Sequence, residues 1–181
     1  VEIYEDDLKN GLWYTKNLDT RDIHFEEYRD DKFIVRYTEH YYPNYQLKEK
    51  YAYIDSLPHG KWIGYYKDGE TKHVKRFEDG KKQGKWQFFT EDGDVHTFEL
   101  YENDKRNNEW FKKGEGKDIY YQFWDMDSLV SEYADLHYPN GQLIEKISYK
   151  EGLKNGKFTG YFQNGAKKYV KRYEDDEPEG K

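Results

Sequence analysis

The sequence predicts an all-β protein of tandem β-hairpins, arranged as an elongated antiparallel meander that forms a curved, largely single-layer sheet. A tripeptide of the type Gly-Lys-Trp recurs with a period of 24 residues, as at Gly60 and Gly84. Turn-forming pairs, among them Asp68-Gly69 and Asp92-Gly93, recur in the same period. Aromatic residues make up 19% of the chain and hydrophobic residues only 35%, which favours a thin sheet over a thick aliphatic core. A constant period of this length is typical of an array of one supersecondary unit.

One hairpin can be predicted in detail from the unit between Gly60 and Gly84. Asp68-Gly69 is a strong signal for a two-residue type I′ turn, because both residues tolerate positive φ. Folding about this pair gives the cross-strand pairs Tyr66 with Thr71, Gly64 with His73, Trp62 with Lys75 and Gly60 with Phe77. Because side chains alternate between the two faces of a sheet, Trp62 and Phe77 share one face.

Stacking of such hairpins predicts two columns of aromatic rings on that face. The first column holds Trp62, Trp86, Trp110 and Phe158, and the second holds Tyr53, Phe77, Tyr101, Tyr149 and Tyr173. Cross-strand aromatic pairs contribute roughly 0.2–1 kcal/mol each, so a dozen of them would hold a sheet without a second layer. A ring is also expected to cover the bare backbone of a facing glycine at Gly60/Phe77, Gly84/Tyr101 and Gly156/Tyr173.

A larger repeat divides this single domain into two related blocks, residues 1–96 and 97–181. Residues 70–79 recur as 166–175, which is a spacing of 96 residues. The first block contains one extra residue shortly before Asp22. We therefore expect the second block to be a shorter copy of the first.

One hairpin in each block departs from the pattern, since residues 18–41 and 114–137 lack both the Gly-Lys-Trp and the Asp-Gly pair. In the first we expect strands over Asp22–Tyr28 and Phe33–Tyr42 around a turn near Asp30-Asp31. We expect this hairpin to project beyond its neighbours and to offer acidic groups to a partner. These candidates are Glu26, Glu27, Asp30 and Asp31, with Asp125 and Asp127 in the copy. The alternative is a bent or widened sheet with a solvated turn.

Composition disfavours several classes of function. The net charge of −7 argues against nucleic acid and anionic membranes and suits a cationic protein partner, although mild acidity also serves solubility. No apolar run reaches the roughly 18 residues of a transmembrane helix. The histidines show no ligand spacing and the serines no nucleophile elbow, so we expect no metal, no cofactor and no enzymatic activity. The chain opens at Val1 without Met, which is compatible with a removed leader and leaves cytoplasm and export both open.

Three segments carry a resemblance to a known family: residues 77–89, 138–146 and 149–158. Each combines an aromatic residue, a turn and a later Gly-Lys-aromatic or Gln-Leu pattern, and each resembles the bacterial variant of the MORN repeat. The resemblance implies consecutive β-hairpins. Bacterial proteins of this variant are often labelled as antitoxins of the YwqK type, which implies toxin binding, and eukaryotic relatives have been linked to lipid head groups and scaffolding.

Binding of a protein partner is therefore the first functional hypothesis, with a role as an antitoxin or immunity protein that occludes a cationic toxin. The aromatic candidates for contact are Trp62, Tyr66, Phe77, Trp86, Phe88, Trp110 and Tyr101, since Tyr and Trp are enriched at binding hot spots. Alternatively, these rings serve only the packing of the sheet. Two other classes stay open: a binder of cell-wall or other glycans, and a structural scaffold that self-associates end to end through its sheet edges.

Overall fold

The computed structural model describes residues 3–5, 7–114 and 116–180 of the chain, and these residues form β-strands and turns without a helix. The all-β hairpin-repeat fold predicted from the sequence is confirmed. Contacts divide the chain into two compact units, Val1–Val95 and His96–Lys181. Their boundary lies beside the boundary of the two sequence blocks, while the duplication itself stays a prediction.

Nineteen strands follow one another along the described residues. In the first unit these are β1 (Ile3–Glu5), β2 (Leu8–Lys16), β3 (Ile23–Arg29), β4 (Lys32–Tyr41), β5 (Leu47–Ile54), β6 (Leu57–Tyr65), β7 (Thr71–Glu78), β8 (Lys81–Lys82) and β9 (Gly84–Phe89). The second begins with β10 (Val95–Glu102), β11 (Lys105–Arg106), β12 (Asn108–Lys113), β13 (Ile119–Asp125) and β14 (Ser128–His137). It continues with β15 (Leu143–Lys150), β16 (Leu153–Lys154), β17 (Gly156–Tyr161), β18 (Lys167–Glu174) and β19 (Glu177–Glu179).

Within each unit the strands form an antiparallel meander, in which neighbours along the chain pair. Three strands are interrupted, and both parts of each pair with the strand before them: β8 and β9 with β7, β11 and β12 with β10, and β16 and β17 with β15. The short strands β8, β11 and β16 are the first parts of strands that are interrupted by one residue. At these interruptions Gln83, Asn107 and Asn155 donate their backbone N–H groups to carbonyls of the preceding strand, each over 3.0 Å. Among the described residues, the extensive contacts join strands that are close neighbours in the meander.

The register predicted around Asp68-Gly69 is correct away from the turn and wrong at the turn itself. Gly60 pairs with Phe77 and Gly64 with His73, but Thr71 pairs with Tyr65 and not with Tyr66. The loop has three residues: the Gly69 N–H bonds to the Tyr66 carbonyl, and the Tyr66 N–H bonds to the Glu70 carbonyl. Only Gly69 of the pair has a positive φ, which is the geometry of a type I turn followed by a bulge. A second bulge next to Tyr65 then restores the predicted register.

Two-residue turns with positive φ at both positions occur at the opposite ends of the hairpins. Examples are Asp30-Asp31, Asp55-Ser56, Asp79-Gly80, Asn103-Asp104, Met126-Asp127, Glu151-Gly152 and Asp175-Asp176. Type I′ geometry demands left-handed backbone at both central residues, which Asp, Asn and Gly adopt at low cost. The sequence therefore contains two alternating kinds of turn, and the type I′ turns are those rich in Asp.

The irregular hairpin of the first block has the predicted turn at Asp30-Asp31, but the prediction that it projects is wrong. The Asp31 N–H donates to the Lys9 carbonyl over 3.0 Å. The Gly80 N–H makes the same bond to the Pro58 carbonyl in a regular hairpin. The acidic turn therefore lies against the preceding strand, as the regular turns do.

An extra residue before Asp22, inferred from the spacing, lengthens one turn. The Asn17 N–H bonds to the Asp22 carbonyl, five residues along the chain. The equivalent bond of a regular turn joins Tyr42 to Gln46, four residues along. The insertion is absorbed in this loop, and Trp13 keeps the place of a column residue.

The glycines that rings cover are not those predicted. A Cβ added to Gly60 would meet nothing within 4 Å, and its φ of 69° explains why glycine stands there. A Cβ on Gly64 would lie 2.3 Å from the His73 ring, and one on Gly160 2.3 Å from the Tyr169 ring. Gly84 and Gly156 resemble Gly60, since both have positive φ and no ring near the added Cβ. The expectation of a covering ring at these three sites is therefore wrong.

Candidate functional site

Within each unit the aromatic columns lie on one face of the sheet, which we call the ring face of that unit. In the first unit Trp62 contacts Tyr53 and Phe77, with ring centroids 5.3 and 4.6 Å apart, and Phe77 contacts Trp86 at 5.1 Å. In the second unit the contacts are Tyr101 with Trp110 at 5.0 Å, Tyr149 with Phe158 at 6.0 Å and Phe158 with Tyr173 at 4.9 Å. The rings therefore form one run from Tyr53 to Trp86 in the first unit, and two runs in the second, from Tyr101 to Trp110 and from Tyr149 to Tyr173. Their distances are typical of favourable aromatic pairs.

The indoles of the column are fixed by hydrogen bonds as well as by ring packing. Trp62, Trp86 and Trp110 each donate Nε1–H to a backbone carbonyl ten residues earlier, that of Ala52, Arg76 and Leu100 respectively, over 2.9 to 3.1 Å. Buried Trp side chains usually satisfy this N–H. The candidate ring residues Trp86 and Tyr101 are 7% and 9% exposed, so they act mainly in packing.

Two other aromatic candidates have structural contacts. The Tyr66 hydroxyl donates to the Phe89 carbonyl over 2.6 Å, and Tyr42 makes the same bond to Tyr65 at 2.9 Å. These bonds join one three-residue turn to the next. Phe88 lies 6.2 Å from the His73 ring. Burial, followed by the positive charge of Lys75, lowers the pKa of His73.

The tryptophan column is interrupted in both irregular hairpins. Trp62 lies four residues before Tyr66, the residue that precedes a three-residue turn. Trp86, Trp110 and Phe158 lie at the equivalent positions of their hairpins. The same position in the irregular hairpins is Thr38 in β4 and Ala134 in β14. These small residues are 3% and 5% exposed. A depression therefore opens on the ring face of each unit where an indole is missing.

The depression in the second unit is largely apolar and has a volume of about 530 Å³. Its ring-face lining comes from five strands: Thr97, Glu99, Trp110, Lys112, Tyr120, Gln122, Glu132, Ala134, Ile147 and Tyr149. Four aromatic residues that the register assigns to the other face also border it: Phe98, Phe111, Tyr121 and Tyr133. The sheet register sets these side chains in two rows. One row is Trp110, Gln122, Glu132 and Tyr149, and the other is Lys112, Tyr120, Ala134 and Ile147. The volume lies within the range of small-ligand pockets.

The depression in the first unit is polar and has a volume of about 630 Å³. Within its lining, His24 Nδ1 lies 3.1 Å from the Thr38 hydroxyl. Outside the lining, His40 Nε2 lies 2.7 Å from the hydroxyl of Tyr51, a residue that does line the depression. Asp22 lies 2.9 Å from His40 Nδ1. Burial opposes ionisation of Asp22, but hydrogen bonds from His40 and Thr20 outweigh it and lower the Asp22 pKa. Burial raises the pKa of Tyr51.

The acidic candidates in β3 point to different faces. Glu26 lies on the ring face and pairs with Arg36 at 2.6 Å. Hydrogen bonds from Arg36 and Tyr28 lower the Glu26 pKa. Glu27 lies opposite Val35 on the other face. The structure therefore does not bring these two carboxylates together.

The acidic candidates at the type I′ turns are exposed, but two of them also hold the sheet together. Asp31 Oδ1 accepts the Lys9 N–H over 2.6 Å. Asp127 Oδ1 accepts the Arg106 backbone N–H over 2.9 Å and its Nε–H over 3.2 Å, and these bonds lower the Asp127 pKa. Asp30 and Asp125 are exposed and leave their carboxylates at the surface.

Sequence reasoning missed the residues that shape both depressions. Thr38 and Ala134 were not among the candidates, and of the lining in the second unit only Trp110 was. The available signal was a small residue where the period calls for Trp. Among the described residues, no group of three or more His, Asp or Glu side chains is placed to hold a metal ion. The described part of the chain also contains no helix with the length and apolar character needed to span a membrane.

Comparison with known protein families finds no family model that matches this chain, and comparison with curated proteins finds no significant match.

Proposed function

We propose that this protein is a non-enzymatic binding protein that acts as an antitoxin or immunity protein, occluding a cationic protein partner with its ring face. The observation that carries the proposal is the apolar depression of about 530 Å³ in an aromatic face. Rigid rings supply contact area at low entropic cost, and a pocket at the centre of such a face is typical of a binding hot spot. The net charge of −7 would steer a cationic partner and raise its association rate. The resemblance to MORN repeats supports the same class of function.

Affinity capture tests this proposal. The immobilised protein is exposed to lysate and culture supernatant of the source organism in low and high salt, and retained proteins are identified by mass spectrometry. We expect one dominant cationic protein that high salt releases, and whose toxic activity falls when this chain is added in equal amount. Retention that ignores salt would remove the electrostatic part of the proposal.

A matched pair of variants locates the binding face. Tyr120 lies on the ring face and is 47% exposed, while Tyr14 lies on the other face and is 51% exposed. We expect Tyr120→Ser to weaken capture and Tyr14→Ser to leave it unchanged. Equal effects of the two substitutions would count against the ring face.

Glycan binding is the second candidate, and the polar depression of the first unit favours it. The rings of Tyr51 and Tyr53 lie 5.6 Å apart, next to the hydroxyl and imidazole groups of Thr38 and His24. Apolar rings combined with a few polar groups suit recognition of a sugar. Quenching of Trp fluorescence by cell-wall fragments would support this candidate, and no change at millimolar sugar would count heavily against it.

A further inference from the structure

The two units carry one row of side chains at corresponding positions of the ring face, and only the charges of its two central residues differ. In the first unit the row is Trp13, Glu26, Arg36 and Tyr53. In the second unit it is Trp110, Gln122, Glu132 and Tyr149. Both rows thus begin with an indole and end with a phenol. The first unit holds an acid and a base at the centre, and the second holds an amide and an acid.

The first unit supplies its own cation to this row. Arg36 donates to Glu26 through Nε at 3.1 Å and through a terminal nitrogen at 2.6 Å. Both nitrogens donate to the same oxygen, Glu26 Oε1, and such charge-assisted hydrogen bonds are stronger than neutral ones. The guanidinium also lies 5.9 Å from the centre of the Phe33 ring. In the first unit, the carboxylate between Trp13 and Tyr53 is therefore already paired with a cation of the same chain, Arg36.

The second unit has the carboxylate without the cation. Glu132 accepts a hydrogen bond from the Gln122 amide over 2.7 Å, and no described Lys, Arg or His side chain forms an ion pair with it. A second carboxylate, that of Glu99, also lines the depression and accepts from the Tyr101 hydroxyl over 3.1 Å. Lys112 is the single cation of the lining; it is exposed and pairs with neither acid among the described contacts.

We infer that the depression of the second unit binds one arginine or lysine side chain of the protein partner, with its aliphatic stem over Ala134 and its cationic head at Glu132. Ala134 and Glu132 are two residues apart on the same face of β14, which is about 7 Å along a strand. This separation suits the length of such a side chain. Tyr120 and Ile147 flank Ala134 and would contact the stem, and Tyr149 beside Glu132 offers a ring to the cation. The inference rests on the proposed function, since it names the group by which the partner is recognised.

The test uses n-butylguanidinium as the probe and n-butylurea as its neutral analogue of the same shape. The sequence contains three alanines, Ala52, Ala134 and Ala166, so labelling alanine methyl groups with carbon-13 gives a separate NMR signal at the floor of the depression. We expect saturable shifts of the Ala134 methyl with butylguanidinium at about millimolar concentrations, while Ala52 and Ala166 stay unchanged. Butylurea should bind several-fold more weakly.

Two substitutions, each with a matched control, test the roles of the Glu132 carboxylate and of the open space over Ala134. Glu132→Gln should weaken butylguanidinium binding about fivefold or more and leave butylurea binding unchanged. Glu174→Gln removes the same charge from an exposed residue outside the depression and should have little effect. Ala134→Trp restores the missing column indole and should abolish binding, while Thr38→Trp fills the other depression and should not.

Three outcomes would overturn the inference: no shift at Ala134, equal binding of the urea and the guanidinium, or an equal effect of Glu174→Gln and Glu132→Gln. Because Glu132→Gln changes no volume, it keeps the test valid if Ala134→Trp does not fold. Salt-sensitive capture of a partner without any shift at Ala134 would overturn this inference and leave the proposed function standing. Binding of butylguanidinium at Ala134 by a chain that captures no protein would contradict the proposed function and leave only a cation site standing.

Discussion

The aromatic column predicts a large loss of stability when Trp62 is truncated to alanine. Its ring contacts Tyr51, Tyr53 and Phe77 at 5.0, 5.3 and 4.6 Å, and such pairs contribute about 0.5–1.5 kcal/mol each beyond burial. Its N–H bond to the Ala52 carbonyl adds about 1 kcal/mol. Truncation of a buried Trp costs about 3–5 kcal/mol. Trp62 is only half-buried, so we expect a loss of about 3 kcal/mol.

The substitution Trp62→Phe separates ring packing from the hydrogen bond. Phe158 occupies the equivalent position in the second unit and is 4% exposed, so a phenyl ring fits this place. We expect Trp62→Phe to lower the free energy of unfolding by about 1 kcal/mol. Urea denaturation followed by far-ultraviolet circular dichroism measures both variants, because Trp fluorescence itself changes with the substitution. Leu18→Ala, at a side chain that is 85% exposed, serves as the control with little expected change.

Two results would refute this reasoning. A loss below about 1 kcal/mol for Trp62→Ala, within the range of ordinary surface substitutions, would mean that the column does not hold the sheet. Equal losses for the Phe and Ala variants would assign the whole effect to the hydrogen bond. Amide exchange near Ala52 and Phe77 gives a local check, since neighbouring repeats carry most of each hairpin's contacts.

Three further predictions concern the ring face and a tyrosine. Because burial and Lys75 lower the His73 pKa, stability should fall as the pH drops below the ordinary value of 6.5, and His73→Phe should flatten that part of the pH–stability curve. Gly64→Ala should lower the free energy of unfolding by about 1–3 kcal/mol, because the new methyl group would meet the His73 ring. In a double-mutant cycle, His73→Ala should recover much of this loss. Additive losses would contradict the contact. Burial and Glu39 raise the pKa of Tyr41 to about 12, so its contribution to stability should vanish as the pH rises from 10.0 to about 12; Glu39→Gln should lower this pKa in a tyrosinate absorbance titration.

Local patterns explain which parts of the fold the sequence predicts well. The pairing of Gly60 with Phe77 follows from the period and from the alternation of side chains, because both depend only on residue spacing. The ring columns follow for the same reason. The turn near Asp30-Asp31 also has a local signal, since both residues adopt positive φ readily.

The turn chemistry was predicted only in part. A two-residue loop and a three-residue loop with a compensating bulge give the same register a few residues away, so spacing alone cannot distinguish them. Backbone φ decides the matter: it is positive at Gly69 but not at Asp68. Spacing also fails to show backbone φ at Gly60. Glycine stands there because the backbone has a positive φ, and no ring lies near an added Cβ.

The repeat, the face that carries the rings and the place where the Trp column is interrupted were determined by the sequence alone, because each is a matter of periodicity in a regular array. Only the tertiary structure decided what the interruptions become. Thr38 and Ala134 are ordinary small residues in the sequence, and a depression arises because rings from adjacent strands surround them and no indole fills the space. The ion pair of Arg36 with Glu26, and its absence at Glu132, likewise appeared only once adjacent strands were set side by side in register.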